Sequence, residues 1–545
     1  MVRLRDAFLF LALAAAAAPA PATALVAPPG PAVPGASPVL SPREQAVRTL
    51  LEQGEIGGVS IERAILDGMR AFYQSHRYEL AWLPQRQASP QMVALRRQMD
   101  MAAEYGLDAG RYGTPYFARM YLDDPHLLAE ADVGFSVALA RFVAHIAAGA
   151  GRPSDVSRLI TLEPELPDIA DALLRLAQAG APDTLLSGYE PVHAQYHALK
   201  EKLAELRAGD ADDARIFVPD GSLLRPGKSD PRVPLLRERL GAALAPDADP
   251  EHYDDVLRAA VEAFQAESGL TVDGIVGPRT LIALNGVSRE DQIAAIIANM
   301  ERWRWMPRDL GKVHVFVNVP EFMLRVVSDG AVAHETRIIV GTPRNPTPTF
   351  SHGIDHIVVN PFWNVPTSIV SNEMLPEIRR NPYGYFAQRG YQVLARAGGR
   401  MRVVNPASID WYMVNPRSVR IRQVPGDHNA LGRIKFMFPN QHSVYLHDTP
   451  TKSLFKRDRR AFSHGCVRVE NPLGFADAIL PIAAPEWNSD RLQRLYGGPE
   501  RRVNLDTPVP VHLAYFTVSV TPDGDIRHVE DLYGYDRKMS EMLGF

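Results

Sequence analysis

Apolar residues change their period once along this chain, and that change limits the fold more than any other feature. Up to Trp305, stretches such as Phe135 to Ala148 and Tyr196 to Arg207 keep helical spacing. From residue 312, Val313, Val315, Val317 and Val319 alternate with polar or aromatic neighbours, the signature of a half-buried strand. The expected fold class is therefore multidomain α+β, helical first and mainly β afterwards. At 545 residues the chain is several times the usual domain of roughly 100–200, so two to four domains are expected. A hydrophobic fraction of 46% and a charged fraction of 22% exclude a wholly disordered or fibrous chain. A net charge of -4 gives no broad electrostatic reason to bind nucleic acid. The single cysteine, Cys466, excludes an intramolecular disulfide and any zinc site that needs two thiolates.

The start of the chain reads as an address. Arg3 and Arg5 precede an apolar run from Ala7 to Ala18 and a small-x-small site, Ala22-Thr23-Ala24, which together describe a secretory signal over residues 1–24. Periplasmic export is expected, with retention at the inner membrane if the segment stays uncleaved. Residues 25–40, rich in Ala and Pro, read as a tether. Ser41, Pro42 and Glu44 form a capping box that opens a helical scaffold domain over 41–215. No catalytic constellation is visible there, and a scaffold or partner platform is the expected role.

A Gly/Asp/Pro-rich break precedes a compact segment at 228–286, where Val256, Leu257, Ala260, Val261 and Phe264 lie along one helical stripe before Gly269, Asp273, Gly274 and Gly277. Three short helices around a glycine-rich turn are expected. The run AFQAESGLTVDGIVGPRTLIALN resembles the peptidoglycan-binding domain of bacterial wall enzymes. Next, Ser288 and Asp291 cap a helix that ends in Trp303 and Trp305. Short strands follow at 322–327, 337–340, 357–359, 444–447 and 511–520. An insertion at 361–435, with Pro, Asn and Gly turns, has the character of a lid. The expected β domain spans 312–500, with 501–545 as its C-terminal β extension.

Chemistry gathers at Ser463-His464-Gly465-Cys466-Val467-Arg468, just before Asn471 and Pro472, a helix cap and first position. A thiolate is the nucleophilic form of cysteine, and an imidazolium or a helix N-terminus nearby lowers a thiol from its usual pKa of about 8.5. Cys466 is read as such a nucleophile. Its base is expected to be His447, which ends a strand beside the turn Asp448-Thr449-Pro450. No metal or cofactor site is read: His352 and His356 lack the acid of H-E-x-x-H and flank a predicted strand.

His447, fifteen intervening residues and then S-H-G-C form a pattern that resembles the L,D-transpeptidase catalytic domain, often called the YkuD domain. The runs VGTPRNPTPTF, PFWNVP and QVPGDHNALGRIKFMFPNQHSVYLHDTP resemble the same family, in its large periplasmic branch. Residues 41–215 resemble that branch only in position and helical character, apart from the phrase AFYQSHRYELAWL, and the resemblance implies cell-wall synthesis proteins as the partners of that region.

The resemblance implies acyl transfer between peptidoglycan stems. Cys466 would attack a tetrapeptide donor, release its terminal D-alanine and hold a thioester that a second stem's amine resolves into a 3→3 cross-link. Water as acceptor would make the same site an L,D-carboxypeptidase. Amides around His464, Gly465 and Cys466 would form the oxyanion hole, and carbapenems would acylate the thiol. Asp448 would orient His447 by its carboxylate or its backbone carbonyl. Arg468 would bind a substrate carboxylate or pair inside the sheet, Ser463 would shape the loop, and Trp363 and Tyr445 would line the cleft or fill the core. The competing readings are a cysteine peptidase acting on stems, opposed by the order of His before Cys, and a non-catalytic wall-binding protein.

Overall fold

The computed structural model describes residues 40–113, 124–209, 216–219, 221–285, 288–397 and 399–544. The expected signal segment and nearly all of the tether lie outside these residues.

In the N-terminal unit Ser41 caps the helix Pro42–Gln53 in a full capping box with Glu44. At the centre lies the buried helix Pro125–Ala148. Its Asp132 carboxylate accepts the Tyr73 hydroxyl at 2.6 Å and the amides of Ala81, Trp82 and Leu83 at 2.8–3.1 Å. Trp82 Nε1 donates to Ser136 one helical turn further on. These bonds explain the phrase AFYQSHRYELAWL. Its Tyr73 and Trp82 satisfy buried polar groups that would otherwise cost 1–3 kcal/mol each. A short hairpin, Glu55–Ile56 with Val59–Ser60, adds a little strand to this mainly helical region.

The next unit has three helices, Val233–Arg239, Asp255–Glu267 and Pro278–Asn285, around their own core of Leu236, Leu257, Val261 and Leu284. Buried Gln265 is its hub: Oε1 accepts from the amides of Asp273 and Gly274, and Nε2 donates to Asp273 Oδ1 and to the Ile275 carbonyl. Gly274 takes φ +65°, where a side chain would be strained and would meet Arg258. The F-Q and D-G signature therefore records how this turn is closed.

Helix Arg289–Trp305 joins the halves of the chain, and every residue from Ile296 to Trp305 is buried. Arg304 and Glu301 form a fully buried ion pair at 2.9 Å. Arg304 also donates to Tyr196 Oη, to the Ile146 carbonyl and to the Tyr105 carbonyl, while Glu301 accepts the Gly151 amide at 2.8 Å. On the same helix Asn299 and Arg302 hold Thr517 and Asp536 near the C-terminus.

The β domain has nine strands in one sheet: β1 (Val313–Asn318), β2 (Met323–Ser328), β3 (Ala331–Gly341), β4 (Phe350–Val359), β5 (Ile434–Met437), β6 (Leu446–His447), β7 (Ala461–Ser463), β8 (Val467–Val469) and β9 (Arg501–Ala514). Their spatial order is β7-β3-β8-β6-β5-β4-β9-β1-β2, and a further β2–β3 pairing closes the sheet on itself. His352 and His356 lie within β4 rather than flanking it, because that strand runs further than its apolar core suggests.

Two expectations are corrected here. Residues 501–545 are not a β extension: β9 sits between β4 and β1, and after a hairpin, Val518–Val520 with Ile526–His528, the chain ends in the helix Tyr535–Leu543. The insertion ends before 434, since Ile434 and Lys435 belong to β5. It folds around its own core, with a sheet ordered Trp363–Asn364, Val419–Gln423, Tyr391–Ala397, Arg400–Val404 and with Ile378, Phe386 and Trp411 beneath it.

Removing one member of the buried pair should strand a charge. Glu301→Ala is expected to lower unfolding free energy by about 3–5 kcal/mol in chemical denaturation; a change below about 1 kcal/mol would show that the pair does not fix the joint.

Candidate active site

Strand alternation assembles the site. In β6 and β8, which run parallel with Leu446 opposite Val467 and His447 opposite Arg468, the apolar members of each pair are fully buried in the core. Tyr445, His447, Cys466 and Arg468 therefore share the opposite face. On the other side of β6, antiparallel β5 places Lys435 opposite His447. Tyr445, His447, Cys466 and Arg468 line a cleft of about 390 Å³, whose walls include Trp363, Ile369 and Glu373 from the insertion. The insertion thus covers the site.

His447 is buried, and its Nδ1–H donates to the carbonyl of Asp448. That bond leaves Nε2 as the unprotonated nitrogen. Of the two orientations open to Asp448, the backbone carbonyl is the one realised. Its carboxylate instead pairs with Lys452 Nζ at 2.7 Å and accepts the Arg433 amide. Burial, then the Arg468 and Lys435 cations, push His447 down to about 3.

Cys466 is partly accessible, yet burial raises its thiol despite donation from the Tyr445 amide and hydroxyl and the nearby charges of Arg468 and Lys435. This corrects the expectation of a thiol lowered by an imidazolium or by the helix at Pro472: desolvation outweighs every favourable charge at the sulfur. Tyr445 is more than a lining residue, since it acts on the ionisation of the thiol, and burial drives its own ionisation up.

The loop at 463–466 is held from both ends. Ser463 Oγ donates to the Cys466 carbonyl at 2.5 Å and accepts the Gly465 amide at 3.1 Å. Thr347 Oγ1 donates to the Gly465 carbonyl at 2.9 Å, which gives the run VGTPRNPTPTF a structural role. Gly465 takes φ +112°, a conformation suited to glycine. Because its amide is spent on Ser463, Gly465 N–H is not an oxyanion donor. The amides of His464 and Cys466 have no protein acceptor among the described residues. The ring of His464 bonds Glu373 of the insertion, Nε2 to Oε1 at 2.7 Å.

Arg468 resolves a second alternative. Its Nε is buried without a partner, and it makes no ion pair with any described residue, so structural pairing inside the sheet is not its role. Sequence reasoning missed Lys435 and Glu373. Alternation in Ile434-Lys435-Phe436 could have placed Lys435 on the site face. No local signal exists for Glu373, which meets its partner across 91 residues.

Residues 312–511 match the YkuD family, described as the L,D-transpeptidase catalytic domain, and 229–284 match one described as "Putative peptidoglycan binding domain". Residues 67–203 match a scaffold domain. A protein of Haemophilus influenzae named "Putative L,D-transpeptidase" is 36% identical over 260 residues, covering 46% of this chain and 50% of that one, so the chain spans about half the length of this curated relative. Among solved structures, an L,D-transpeptidase of Xylanimonas cellulosilytica is 17% identical, with 54% of this chain and 98% of that chain covered and a TM-score of 0.15. An L,D-transpeptidase from Mycobacterium smegmatis is 12% identical over 37% of this chain and 58% of that chain, with a TM-score of 0.18. The β domain is thus a YkuD L,D-transpeptidase catalytic domain over residues 312–511, with a peptidoglycan-binding domain ahead of it over 229–284.

Two titrations check the electrostatics. The His447 imidazole should stay neutral by NMR throughout about pH 5–8, and Arg468→Gln should raise its titration point. Carbamidomethylation of Cys466 should accelerate only above the ordinary thiol range of about 8.5; a rate already on a plateau at neutral pH would contradict the buried neutral thiol. Stability has a definite sign as well. His447 at about 3 and His145, His193 and His512 at about 4 bind protons in the unfolded chain near 6.5 and not in the folded one. Stability is therefore expected to fall as pH drops from about 6.5 towards 4, seen as a falling Tm.

Proposed function

We propose that this protein is exported to the periplasm, binds peptidoglycan and joins two of its stem peptides by a 3→3 cross-link formed through a thioester on Cys466. The observation that carries this reading is the unpaired Arg468 beside a neutral Cys466 and a His447 with free Nε2, all in one cleft of a YkuD-family domain. The donor is a tetrapeptide stem with a terminal D-alanine, and the acceptor is a second stem's side-chain amine.

At rest the thiol and the imidazole are both neutral. As Sγ closes on the donor carbonyl, its proton passes to His447 Nε2. The imidazolium so formed lies between Arg468 and Lys435, which destabilise it and make it a ready acid toward the departing D-alanine amine. The amides of His464 and Cys466, without protein acceptors among the described residues, would receive the developing oxyanion. Arg468, half-buried with its Nε unpartnered, offers its guanidinium to a substrate carboxylate.

Mature protein incubated with tetrapeptide-stem muropeptides should yield dimers lighter by one D-alanine, detected by mass, and Cys466→Ala should yield none. Monomers that lose D-alanine without dimerising would replace cross-linking by carboxypeptidase action. Unchanged muropeptides would leave a wall-binding protein. His447→Asn is expected to slow thioester formation about 10²–10⁴-fold, and Arg468→Gln to raise the donor KM by about tenfold or more.

A further inference from the structure

Two imidazoles share the cleft, and their supports differ in charge. His447 donates to a neutral carbonyl and stands between two cations. His464 donates Nε2–H to the Glu373 carboxylate, and its Nδ1 carries no protein hydrogen bond among the described residues. Glu373 is the one carboxylate lining the cleft among those residues, and it projects from the π-helical turn Val370–Met374, an irregularity often found at functional positions. The other titratable or charged groups around the cleft are Cys466 and Arg468 after His464, and His442, Tyr445 and His447 on the facing segment. Two imidazoles with different hydrogen-bond partners in one cleft can serve different proton transfers.

We propose that His464, oriented by Glu373, is a second general base of this site and takes the proton from the incoming acceptor ammonium during aminolysis of the Cys466 thioester. The inference rests on the transpeptidase reading above. An alkylamine with a pKa of about 10.4 arrives protonated at neutral pH and has no lone pair to attack with. His447, between Arg468 and Lys435, is badly placed to accept that proton. A carboxylate-backed imidazole at the rim, with a side chain 44% exposed, is well placed, and the carboxylate attracts the cation to it.

The protons balance in sequence. The ammonium gives one proton to His464 Nδ1, and the resulting imidazolium is held by Glu373. The free amine then adds to the thioester carbonyl. The tetrahedral nitrogen gives its second proton to His447 Nε2, which returns it to Sγ as the C–S bond breaks. The new amide keeps one N–H, and His464 releases its proton to solvent.

The test separates the two half-reactions. Thioester formation is followed by D-alanine release and protein mass, and its aminolysis by an added side-chain amine, over about pH 6–10, for the wild type, Glu373→Gln and His464→Asn. Both variants should slow aminolysis at neutral pH about tenfold or more beyond any effect on acylation, with the deficit closing as pH approaches the amine's pKa. Hydroxylamine, unprotonated at neutral pH, should resolve the thioester with little deficit. Equal slowing of both half-reactions at every pH would make the pair a mere latch and overturn the proposal, as would equal deficits with both amines. Variants indistinguishable from a wild type that acylates would overturn this inference alone, whereas a wild type that releases no D-alanine would overturn the transpeptidase reading and this inference with it.

Discussion

The buried pair of Arg304 and Glu301 is the constraint on which the remaining architecture turns. Two charges removed from water lose several kcal/mol each, and their mutual attraction offsets that loss only when every remaining donor and acceptor is satisfied. Here the scaffold supplies the partners: Tyr105, Ile146, Gly151 and Tyr196 converge on one helical turn. The same helix grips Thr517 and Asp536, so the helical half and the β half are fastened to a common axis. A consequence is visible at the rim of the active site. The segment around Ile160 pairs with Thr349, and Thr161 Oγ1 meets His442 Nε2 at 2.9 Å, so the scaffold reaches a residue that lines the cleft.

Within that frame the chemistry follows from the alternation of two short strands. Parallel pairing of β6 and β8 places thiol, imidazole, phenol and guanidinium on one face, and β5 adds a second cation. Burial then decides the resting charges. It raises the thiol and lowers the imidazole, so both groups rest neutral. The cations that depress His447 are the groups that would steady a substrate carboxylate, which makes one arrangement serve both binding and proton transfer.

Much of this was legible in the residues because it is local. Period-two alternation around Tyr445-Leu446-His447 and Cys466-Val467-Arg468, the glycine at 465 and the capping box at Ser41 each act over a few positions. What the sequence concealed is non-local. The carboxylate facing His464 is contributed by a lid helix, and the depth of the sulfur depends on how several strands pack, so an expected low thiol pKa became a raised one. The terminal helix was concealed differently: Tyr535, Met539 and Leu543 carry its buried stripe at helical spacing, but the nearby alternation at 511–520 drew the eye to strands. The F-Q and D-G motif was visible yet ambiguous, since Gln265 serves the turn itself.

The place of β9 bears on how the molecule comes into being. The strand that closes the sheet between β4 and β1 spans 501–514, and its Val511 pairs in parallel with Val315 nearly 200 positions earlier. During synthesis both of those neighbours present open edges until the last tenth of the chain emerges, a topology that folds slowly and invites mispairing. Cys466 emerges before the strand that completes the sheet. A chain with one cysteine has no internal partner with which to misbridge during that interval.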